Sequence, residues 1–383
     1  MRSIQQSFSV SYEYPVYFTK GVFEESNDLL KQSLEVREAL PKVLFVVDGG
    51  VASAHADLIS QIQQYAEGHG KVFRMVDAPM IIPGGEACKN DQIHVDRILA
   101  AINEHGIDRH SYVVAVGGGA VLDAVGYAAS IGHRGIRLIR IPTTVLSQND
   151  SGVGVKNGIN AFNKKNFLGS FTVPTAVIND SNFLDTLNIR DWRCGIAEAI
   201  KVGLVKDAPF FYSIQEHADQ LANRDKDLMD QLIYRCAELH IQHIASGDPF
   251  EQGSSRPLDF GHWSAHKLEQ ITEHQLRHGE AVAIGMALDS IYSYLDHHLT
   301  QPELLIILSL LRQLGFELYH PSLRDSQLLD GLREFQEHLG GRLTIMLLDA
   351  IGSGKEVHRM NSEIIKKSID VLQDYHNHNS LSA

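Results

Sequence analysis

The sequence predicts an α/β domain built on a parallel sheet, followed by a mostly helical, all-α domain. The first half alternates short β-branched runs with helical periodicity, which is typical of strands joined by crossover helices. From about residue 188 onward, strand-like runs become few and long helical stretches prevail. With 383 residues and 44% hydrophobic composition the chain can fill two cores, since single cores stop growing at roughly 250 to 300 residues. We therefore expect two domains, residues 1–187 and 188–383.

Glycine and proline mark the ends of the predicted strands in the first domain. An apolar run at residues 44–48 stops at Gly49-Gly50, and a second at residues 112–116 leads directly into three glycines. With similar runs at 72–76 and 137–141 there are four predicted strands, and the helices predicted between or after them are 54–66, 92–105 and 120–131. The long helical stretches of the second domain are residues 192–205, 226–245, 281–295 and 302–314.

Composition excludes several classes of protein. The chain has 34 basic and 47 acidic residues, a net charge of −13, and no basic stripe that could neutralise a nucleic-acid backbone. Its cysteines, Cys88, Cys194 and Cys236, are three in number and widely spaced, which favours neither a disulfide framework nor a thiolate zinc site. No apolar run approaches the roughly 18 residues that a membrane span needs. We expect a cytoplasmic protein that binds a small molecule, without nucleic-acid or membrane partners.

A glycine-rich turn favours a nucleotide pocket in the first domain. Gly117-Gly118-Gly119 lies between a predicted strand and a predicted helix, where backbone N–H groups can approach a diphosphate without obstruction by a Cβ. A tight turn alone would also require glycine, so this motif leaves both interpretations open. Acidic residues tip the balance towards a Rossmann-like nucleotide site, because Asp48 ends the first strand and Asp123 lies one turn into the helix. A further polar loop contains Glu86 and Lys89.

Histidine and glutamate spacing favours a metal centre in the second domain. His262 and His266 are four residues apart on one helical face, and His278 opens a further predicted helix. Glu198 lies on an otherwise apolar helix, where a buried carboxylate is costly unless it is paired or bound to a metal. One carboxylate and two imidazoles would leave a coordination position open for substrate, as in catalytic zinc sites. With 20 histidines in the chain, chance spacing is the competing interpretation; glycine beside both His262 and His278 counts against it.

Several sequence blocks together resemble the 3-dehydroquinate synthase family over residues 48–352. They include GGGAVLDAVGYAAS, GIAEAIKVGLVKD, LDFGHWSAH and LRHGEAVAIGMAL. The resemblance implies a Rossmann-like NAD-binding domain, a helical metal-binding domain, an active site between them and a homodimer. It also implies a sugar phosphate cyclase, which transiently oxidises its substrate with NAD, eliminates phosphate, returns the hydride and closes a carbocycle by an aldol step. The combination of FGHWSAH with EHLGGRLTIMLLDAIG looks most like the EboD-type branch of this family.

The resemblance also implies roles for individual residues. The implied ligands of Zn²⁺ or Co²⁺ are Glu198, His262 and His278. The implied NAD contacts are Asp48, Glu86, Lys89, Gly118, Gly119, Asp123, Thr143, Thr144, Thr186 and Leu187. The implied catalytic residues are Asp150, Lys156, Lys201 and His266. The implied substrate-binding residues are Lys165, Asn166, Asp259 and Arg134, the last reaching a phosphate across the dimer.

Departures from the family pattern bear on the substrate. The lysine that would bind a substrate carboxylate should fall near Ile241, where the chain offers only His240 and His243. Asp259 replaces an asparagine and would repel a carboxylate placed beside it. We therefore expect a sugar phosphate without that carboxylate, with 3-dehydroquinate synthase proper as the alternative.

Two other functions remain open from the sequence alone. One is a metal-dependent polyol dehydrogenase, which shares this two-domain plan but typically has a histidine where this chain has Val202. The other is a catalytically silent metabolite-binding module, against which the retained Glu198 and Lys201 argue.

Overall fold

A computed structural model of the chain describes residues 2–162, 164–246, 249–250, 257–338 and 341–378. They form two compact units: Met1–Pro142 with Val155–Asn182, and Thr143–Gly154 with Phe183–Ala383. The first unit therefore ends a few residues before the expected boundary at 187 and 188. The sequence also gave no sign that Thr143–Gly154 packs with the second unit.

The first unit contains a parallel sheet with crossover helices, which confirms the predicted α/β class. Its elements in chain order are β1 (Val16–Thr19), α1 (Leu29–Gln32), β2 (Lys42–Asp48), α2 (Gly49–Ala54), α3 (Leu58–Gly68), β3 (Arg74–Met75), β4 (Met80–Ile82), α4 (Ile93–Glu104), β5 (Tyr112–Gly117), α5 (Gly119–Ile131), β6 (Arg137–Pro142), β7 (Lys156–Ala161), β8 (Lys164–Phe171) and β9 (Ala176–Asp180). The strand order is β1-β9-β6-β5-β2-β3, with β4 also beside β2, and each of these pairs is parallel.

Central strands of this sheet are apolar along their length because helices cover both faces. Every residue of β5 is buried, and so is β2 from Val43 to Asp48. Parallel pairing sets Val47 of β2 against Val116 of β5, so that Asp48 and Gly117 lie at the same carboxyl edge. This is the edge at which ligands of open α/β sheets bind.

Three features of the first unit differ from the sequence prediction. The helix expected at residues 54–66 begins only at Leu58, as α3. It is preceded by an unpredicted helix, α2, because the Asp48 carboxylate accepts hydrogen bonds from Gly50 and Val51 and starts α2 directly after β2. The strand expected at 72–76 shrinks to two residues in β3. The antiparallel hairpin of β7 and β8 was not predicted, since its sequence is polar and rich in glycine.

The second unit is mostly helical, as predicted. Its elements are α6 (Ile189–Lys206), α7 (Ala208–Glu216), α8 (Ala218–Ala222), α9 (Lys226–Ala245), α10 (His262–Ile271), α11 (His278–Leu295), α12 (Gln301–Gln313), α13 (Asp330–His338), β10 (Ile345–Ala350), β11 (Ser353–Val357) and α14 (Ser362–His378). Helices α6 and α11 run through the core, where Trp192 and Trp263 are buried. Among the helices of the described residues, none has the length and apolar character that crossing a bilayer requires.

Candidate active site

Three potential metal ligands from three different helices converge in the second unit. Glu198 lies in the middle of α6, His262 begins α10 and His278 begins α11. One ligand atom from each lies within 4.8 Å of the other two. The Oε1 of Glu198 is 3.3 Å from Nε2 of His278 and 3.7 Å from Nε2 of His262. The structure thus brings together the three residues that the sequence had proposed as ligands.

Two glycines allow these helices to approach so closely. A Cβ on Gly279 would lie 2.4 Å from the Cα of Cys194, so α11 begins directly against the backbone of α6. A Cβ on Gly261 would lie 2.6 Å from the backbone nitrogen of Met286, and its φ of +76° is in the left-handed region that favours glycine. Each glycine precedes or follows a ligand histidine, which explains the flanking pattern seen in the sequence.

Each ligand histidine is oriented through its other ring nitrogen. The Nδ1 of His262 lies 3.0 Å from the carbonyl oxygen of Phe260. The Nδ1 of His278 lies 3.3 Å from the carboxylate of Glu269, which is 3% exposed. When Nδ1 carries the proton, Nε2 is left as the ligand atom, an arrangement common to metal-binding histidines.

The donor set fits a divalent cation. Four ligands at zinc distances of about 2.1 Å in a tetrahedron are separated by about 3.4 Å, close to the 3.3 and 3.7 Å measured from Glu198 to the imidazoles. Within the described part of the chain, both oxygens of Glu198 are buried and accept no hydrogen bond of normal geometry, although the Lys201 ammonium contacts Oε2. A buried carboxylate whose Oε1 has no hydrogen bond of normal geometry and lies beside two imidazoles is what a metal would satisfy.

Lys201 dominates the electrostatics around these ligands. Burial by itself lowers the pKa of Lys201, but the carboxylates of Glu198 and Asp150 outweigh it and hold that pKa well above its usual range. In return, although burial raises the pKa of Glu198, the Lys201 charge brings it down to about 2. Burial, with the charge of Lys201, lowers the pKa of His262 to about 4. At neutral pH the lysine is charged, the glutamate ionised and His262 neutral, the protonation states that a metal requires.

Other predicted residues of the second unit surround this cluster. Asp150 lies in a π-helical turn, Ser147–Ser151, and its Oδ1 is 2.7 Å from Nδ1 of His240 on α9. His266, one turn beyond His262, has its ring 5.4 Å from the His262 ring. Asp259 precedes α10 and contributes to the potential at Lys201. His266, Glu269 and His278 form a second grouping of possible ligand atoms within 4.8 Å, which shares His278 with the first.

In the first unit, the predicted nucleotide residues gather at the carboxyl edge of the sheet. Asp48 ends β2, and a Cβ on Gly84 would lie 2.2 Å from its Oδ1, so that loop packs directly on the carboxylate. Gly118 caps α5, a helix of 13 residues, and Gly118 and Gly119 are partly exposed. A long helix whose first N–H groups are accessible and free of side chains is suited to a diphosphate.

Lys89 links two of the predicted sites within the first unit. Its side chain is 2% exposed, and Nζ donates to Oδ2 of Asp123 at 2.7 Å and to the side-chain oxygen of Asn166 on β8. Asn160 of β7 donates to Oε1 of Glu86 at 3.1 Å and accepts from the backbone N–H of Asn166. The hairpin that contains Asn166 is therefore tied to the loop that contains Glu86 and Lys89.

The remaining predicted residues are distributed over both units. Lys156 and Lys165 lie on the β7 and β8 hairpin, and Arg134 is exposed at a φ of 64° in a short turn after α5. Four predicted NAD contacts lie in the second unit, not with Asp48 and Gly118 in the first. These are Thr143, Thr144, Thr186 and Leu187.

Sequence reasoning missed two buried acids near the ligands. Glu269 follows His262 by seven residues and His266 by three, so helical spacing could have placed it on the same face of α10. Asp289 is 0% exposed on α11 and accepts hydrogen bonds from Gly261 and Trp263, on either side of His262. No local signal connects Asp289 with a residue 27 positions earlier in the sequence.

Comparison with known proteins agrees with this geometry. The family model described as 3-dehydroquinate synthase N-terminal matches residues 79–194, and the one described as 3-dehydroquinate synthase C-terminal matches residues 195–335. The 2-epi-5-epi-valiolone synthase of Streptomyces glaucescens is 32% identical over 367 residues, 94% of this chain and 91% of that protein. The 3-dehydroquinate synthase of Alkaliphilus metalliredigens is 33% identical over 317 residues, 82% of this chain and 86% of that protein.

A solved structure extends the similarity to the whole fold. ValA, a 2-epi-5-epi-valiolone synthase from Streptomyces hygroscopicus solved with NAD⁺ and Zn²⁺ bound, matches with a TM-score of 0.87 and 28% identity over 97% of this chain and 99% of that one. The family models, the relatives and this structure thus all match both units, and the chain belongs to the 3-dehydroquinate synthase family.

Proposed function

We propose that the chain is a sugar phosphate cyclase, a carbon–oxygen lyase that eliminates phosphate from a sugar phosphate and forms a carbocycle. The observation that carries the proposal is the convergence of Glu198, His262 and His278 beside the charged Lys201. Family membership supports it, as do relatives named 2-epi-5-epi-valiolone synthase and 3-dehydroquinate synthase. The binding of NAD⁺ and Zn²⁺ by ValA supports the same two cofactors here.

Different residues would hold the metal and the NAD. Glu198, His262 and His278 would hold Zn²⁺ or Co²⁺, and Asp48, Gly118 and Gly119 would hold NAD. When bound, the metal supplies Lewis acidity and NAD a reversible hydride acceptor. Glu86, Lys89, Asp123, Thr143, Thr144, Thr186 and Leu187 complete the proposed NAD contacts.

The polar side chains nearest the proposed metal ligands can each be given a role. The raised pKa of Lys201 keeps its ammonium charged, so it donates hydrogen bonds and stabilises negative charge that develops on substrate oxygens. Lys201 and His240 hold the pKa of Asp150 well below its usual range despite burial, so Asp150 is a carboxylate that can accept a hydroxyl hydrogen. His266, partly exposed, is the candidate for moving a proton during ring closure.

We assign the phosphate to cationic and amide side chains. Lys156, Lys165 and Asn166 lie on one hairpin, and they would bind the phosphate together with Arg134 of a second protomer in a homodimer. The three cysteines are buried and free, in keeping with a reducing, cytoplasmic location for this dimer.

We propose a substrate without a carboxylate beside the reacting carbons. His240 is hydrogen-bonded to Asp150, and His243 to Lys206 at 2.9 Å, so both histidines of α9 are already engaged by another side chain. Asp259 and Asp150 add negative charge near Lys201. A carboxylated heptulosonate, the substrate type of 3-dehydroquinate synthase proper, would meet repulsion here.

A phosphate-release assay tests the proposal. Purified protein with NAD and Zn²⁺ is expected to release inorganic phosphate from a heptulose phosphate faster than from the matching carboxylated heptulosonate, without net NADH. Glu198→Gln should abolish release because the cation loses its only anionic ligand. Absence of phosphate release from both classes of substrate would overturn the proposal; faster release from the heptulosonate would restore 3-dehydroquinate synthase proper.

A polyol dehydrogenase is the competing enzyme. Val202, one turn after Glu198, is buried in the apolar core of the second unit, where such dehydrogenases typically have a histidine. Steady accumulation of NADH with glycerol would favour that enzyme over the cyclase.

A further inference from the structure

A buried acid on α11 contacts both neighbours of the ligand His262. Asp289 has no solvent exposure. Its Oδ2 accepts a hydrogen bond of 3.1 Å from the backbone N–H of Gly261, and its Oδ1 one of 2.9 Å from the indole Nε1 of Trp263. The carboxylate therefore spans the first turn of α10, with His262 between its two donors.

The turn that Asp289 contacts packs tightly against α11. Gly261 adopts a left-handed φ of +76° and contacts α11 so closely that a Cβ on Gly285 would lie 2.0 Å from its carbonyl oxygen. Trp263 is 1% exposed, and its indole fixes the turn from the other side. The orientation of His262 is thus restrained on both sides, because Gly261 and Trp263 each donate a hydrogen bond to Asp289.

The same helix also begins with the ligand His278. Asp289 lies three turns further along α11, so one rigid element carries one imidazole ligand directly and the anchor of the other. A rigid helix with such an anchor can hold two ligands at a constant separation even before a metal binds.

Burying the ionised side chain of Asp289 costs free energy. Burial raises the pKa of Asp289 to about 7, so the carboxylate is destabilised relative to water. An apolar residue would fill the space without this cost, but it could not accept from Gly261 and Trp263. The acid instead accepts a hydrogen bond from each neighbour of the ligand histidine.

We propose that Asp289, with Trp263, is a positioning residue that presets His262 for the divalent cation. The inference rests on the proposed metal centre and concerns a residue outside its ligand set. Asp289 touches neither the metal nor the substrate in this assignment; it acts through the α10 turn.

Zinc affinity of the full-length protein tests the proposal without any turnover. Apo protein is titrated with Zn²⁺ against a chromophoric chelator, and the visible spectrum of the Co²⁺-loaded protein reports ligand geometry. Asp289→Asn is nearly isosteric but places an amide N–H₂ against one of the two donors. We expect zinc affinity to fall by about tenfold, the scale typical of losing a partner outside the ligand set, and the Co²⁺ bands to shift.

A second variant provides rescue. Trp263→Phe removes the indole donor, so in the double variant Trp263→Phe/Asp289→Asn the amide no longer faces a competing N–H. Zinc affinity of the double variant should exceed that of Asp289→Asn. If Asp289→Asn fails to fold, Trp263→Phe alone still tests the idea, because it should weaken zinc binding by a few-fold and shift the Co²⁺ bands.

Matched controls separate the outcomes. Ser293→Ala, on the same helix, removes a buried hydroxyl that accepts from Leu348 at 3.2 Å and donates to the backbone carbonyl of Asp289 at 2.8 Å. Because the Asp289 carboxylate and its two donors are left intact, the variant should lower thermal stability while leaving zinc affinity and the Co²⁺ spectrum unchanged. An Asp289→Asn protein that behaves like Ser293→Ala would overturn the inference. Glu198→Gln gives the reference: tight zinc binding by that variant would instead refute the metal centre itself.

Discussion

Lys201 lies among buried carboxylates, and its charge makes their burial tolerable. It contacts Glu198 and is attracted to Asp150. A metal at the proposed ligands would supply further positive charge, so the lysine and the cation would both neutralise the buried carboxylates. This dual compensation leads to a prediction about stability that does not depend on the substrate.

Lys201→Met should destabilise the metal-free protein far more than the zinc-loaded one. Removing one partner of a buried ion pair lowers the free energy of unfolding by about 3 to 5 kcal/mol, and zinc should restore a large part of it by neutralising Glu198. Urea unfolding with and without a chelator measures both. Lys206→Met, which removes a half-buried lysine bonded to His243, serves as control and should show no such zinc dependence. An equal loss in both forms would count against the metal site.

Asp289 predicts a pH dependence of stability. Its folded pKa is raised to about 7 from the 3.8 of an unperturbed aspartate. Between these values the unfolded chain has lost the proton that the folded chain keeps, so the free energy of unfolding falls as pH rises from about 4 to about 7 and then levels off. Asp289→Asn removes this component. Relative to wild type, the variant should therefore gain stability with rising pH in urea unfolding; a constant difference across the range would contradict the assignment.

The close contact of α6 with the start of α11 holds the proposed metal ligands together. Gly279→Ala places a methyl group 2.4 Å from Cys194 and must push the helices apart, which separates His278 from Glu198. We expect a loss of about 1 to 3 kcal/mol of stability, as for other overpacked sites, together with weaker zinc binding.

A glycine elsewhere provides the matched control for that substitution. Gly68 ends α3, and a Cβ there would meet nothing within 4 Å. Gly68→Ala should leave zinc binding unchanged and keep or slightly raise the melting temperature. Calorimetry measures the stability of both variants, and the zinc titration measures their affinity for zinc. A Gly279→Ala protein indistinguishable from Gly68→Ala would show that the contact between α6 and α11 is not needed for stability or zinc binding.

The sequence predicted some elements better than others, depending on side-chain caps and strand pairing. Helix α9 has the predicted bounds, Lys226–Ala245, because the Asp225 side chain before it caps the N–H of Leu228. The helix expected at 54–66 is present from Leu58 as α3, but the preceding α2 was not predicted, since Asp48 starts it earlier than apolar periodicity indicates. β3 is shorter than predicted because only Lys42 and Val43 of β2 pair with it.

The proposed homodimer makes the role of Arg134 testable by complementation between two inactive variants. Arg134→Ala and Glu198→Gln should each be inactive as pure proteins. If the partner's Arg134 serves each site, unfolding and refolding an equal mixture forms heterodimers with one intact site, and roughly a quarter of wild-type phosphate release should return in a twofold-symmetric dimer. No recovery, with heterodimers present, would place Arg134 in its own protomer's site.

Local sequence patterns were sufficient to predict the fold class, the family and the residue types that could serve as ligands. Periodicity, glycine at strand ends and the spacing of Glu198, His262 and His278 are written in local segments, so they can be read without coordinates.

The folded chain was needed to see that α6, α10 and α11 bring the candidate ligands within 4.8 Å of one another, that Glu269 lies against His278, and that Asp289 accepts from both neighbours of His262. It also shows that His240 is engaged by Asp150. These facts depend on packing between elements far apart in the chain, where a missing Cβ or a buried hydrogen bond sets the distance. No local pattern encodes them.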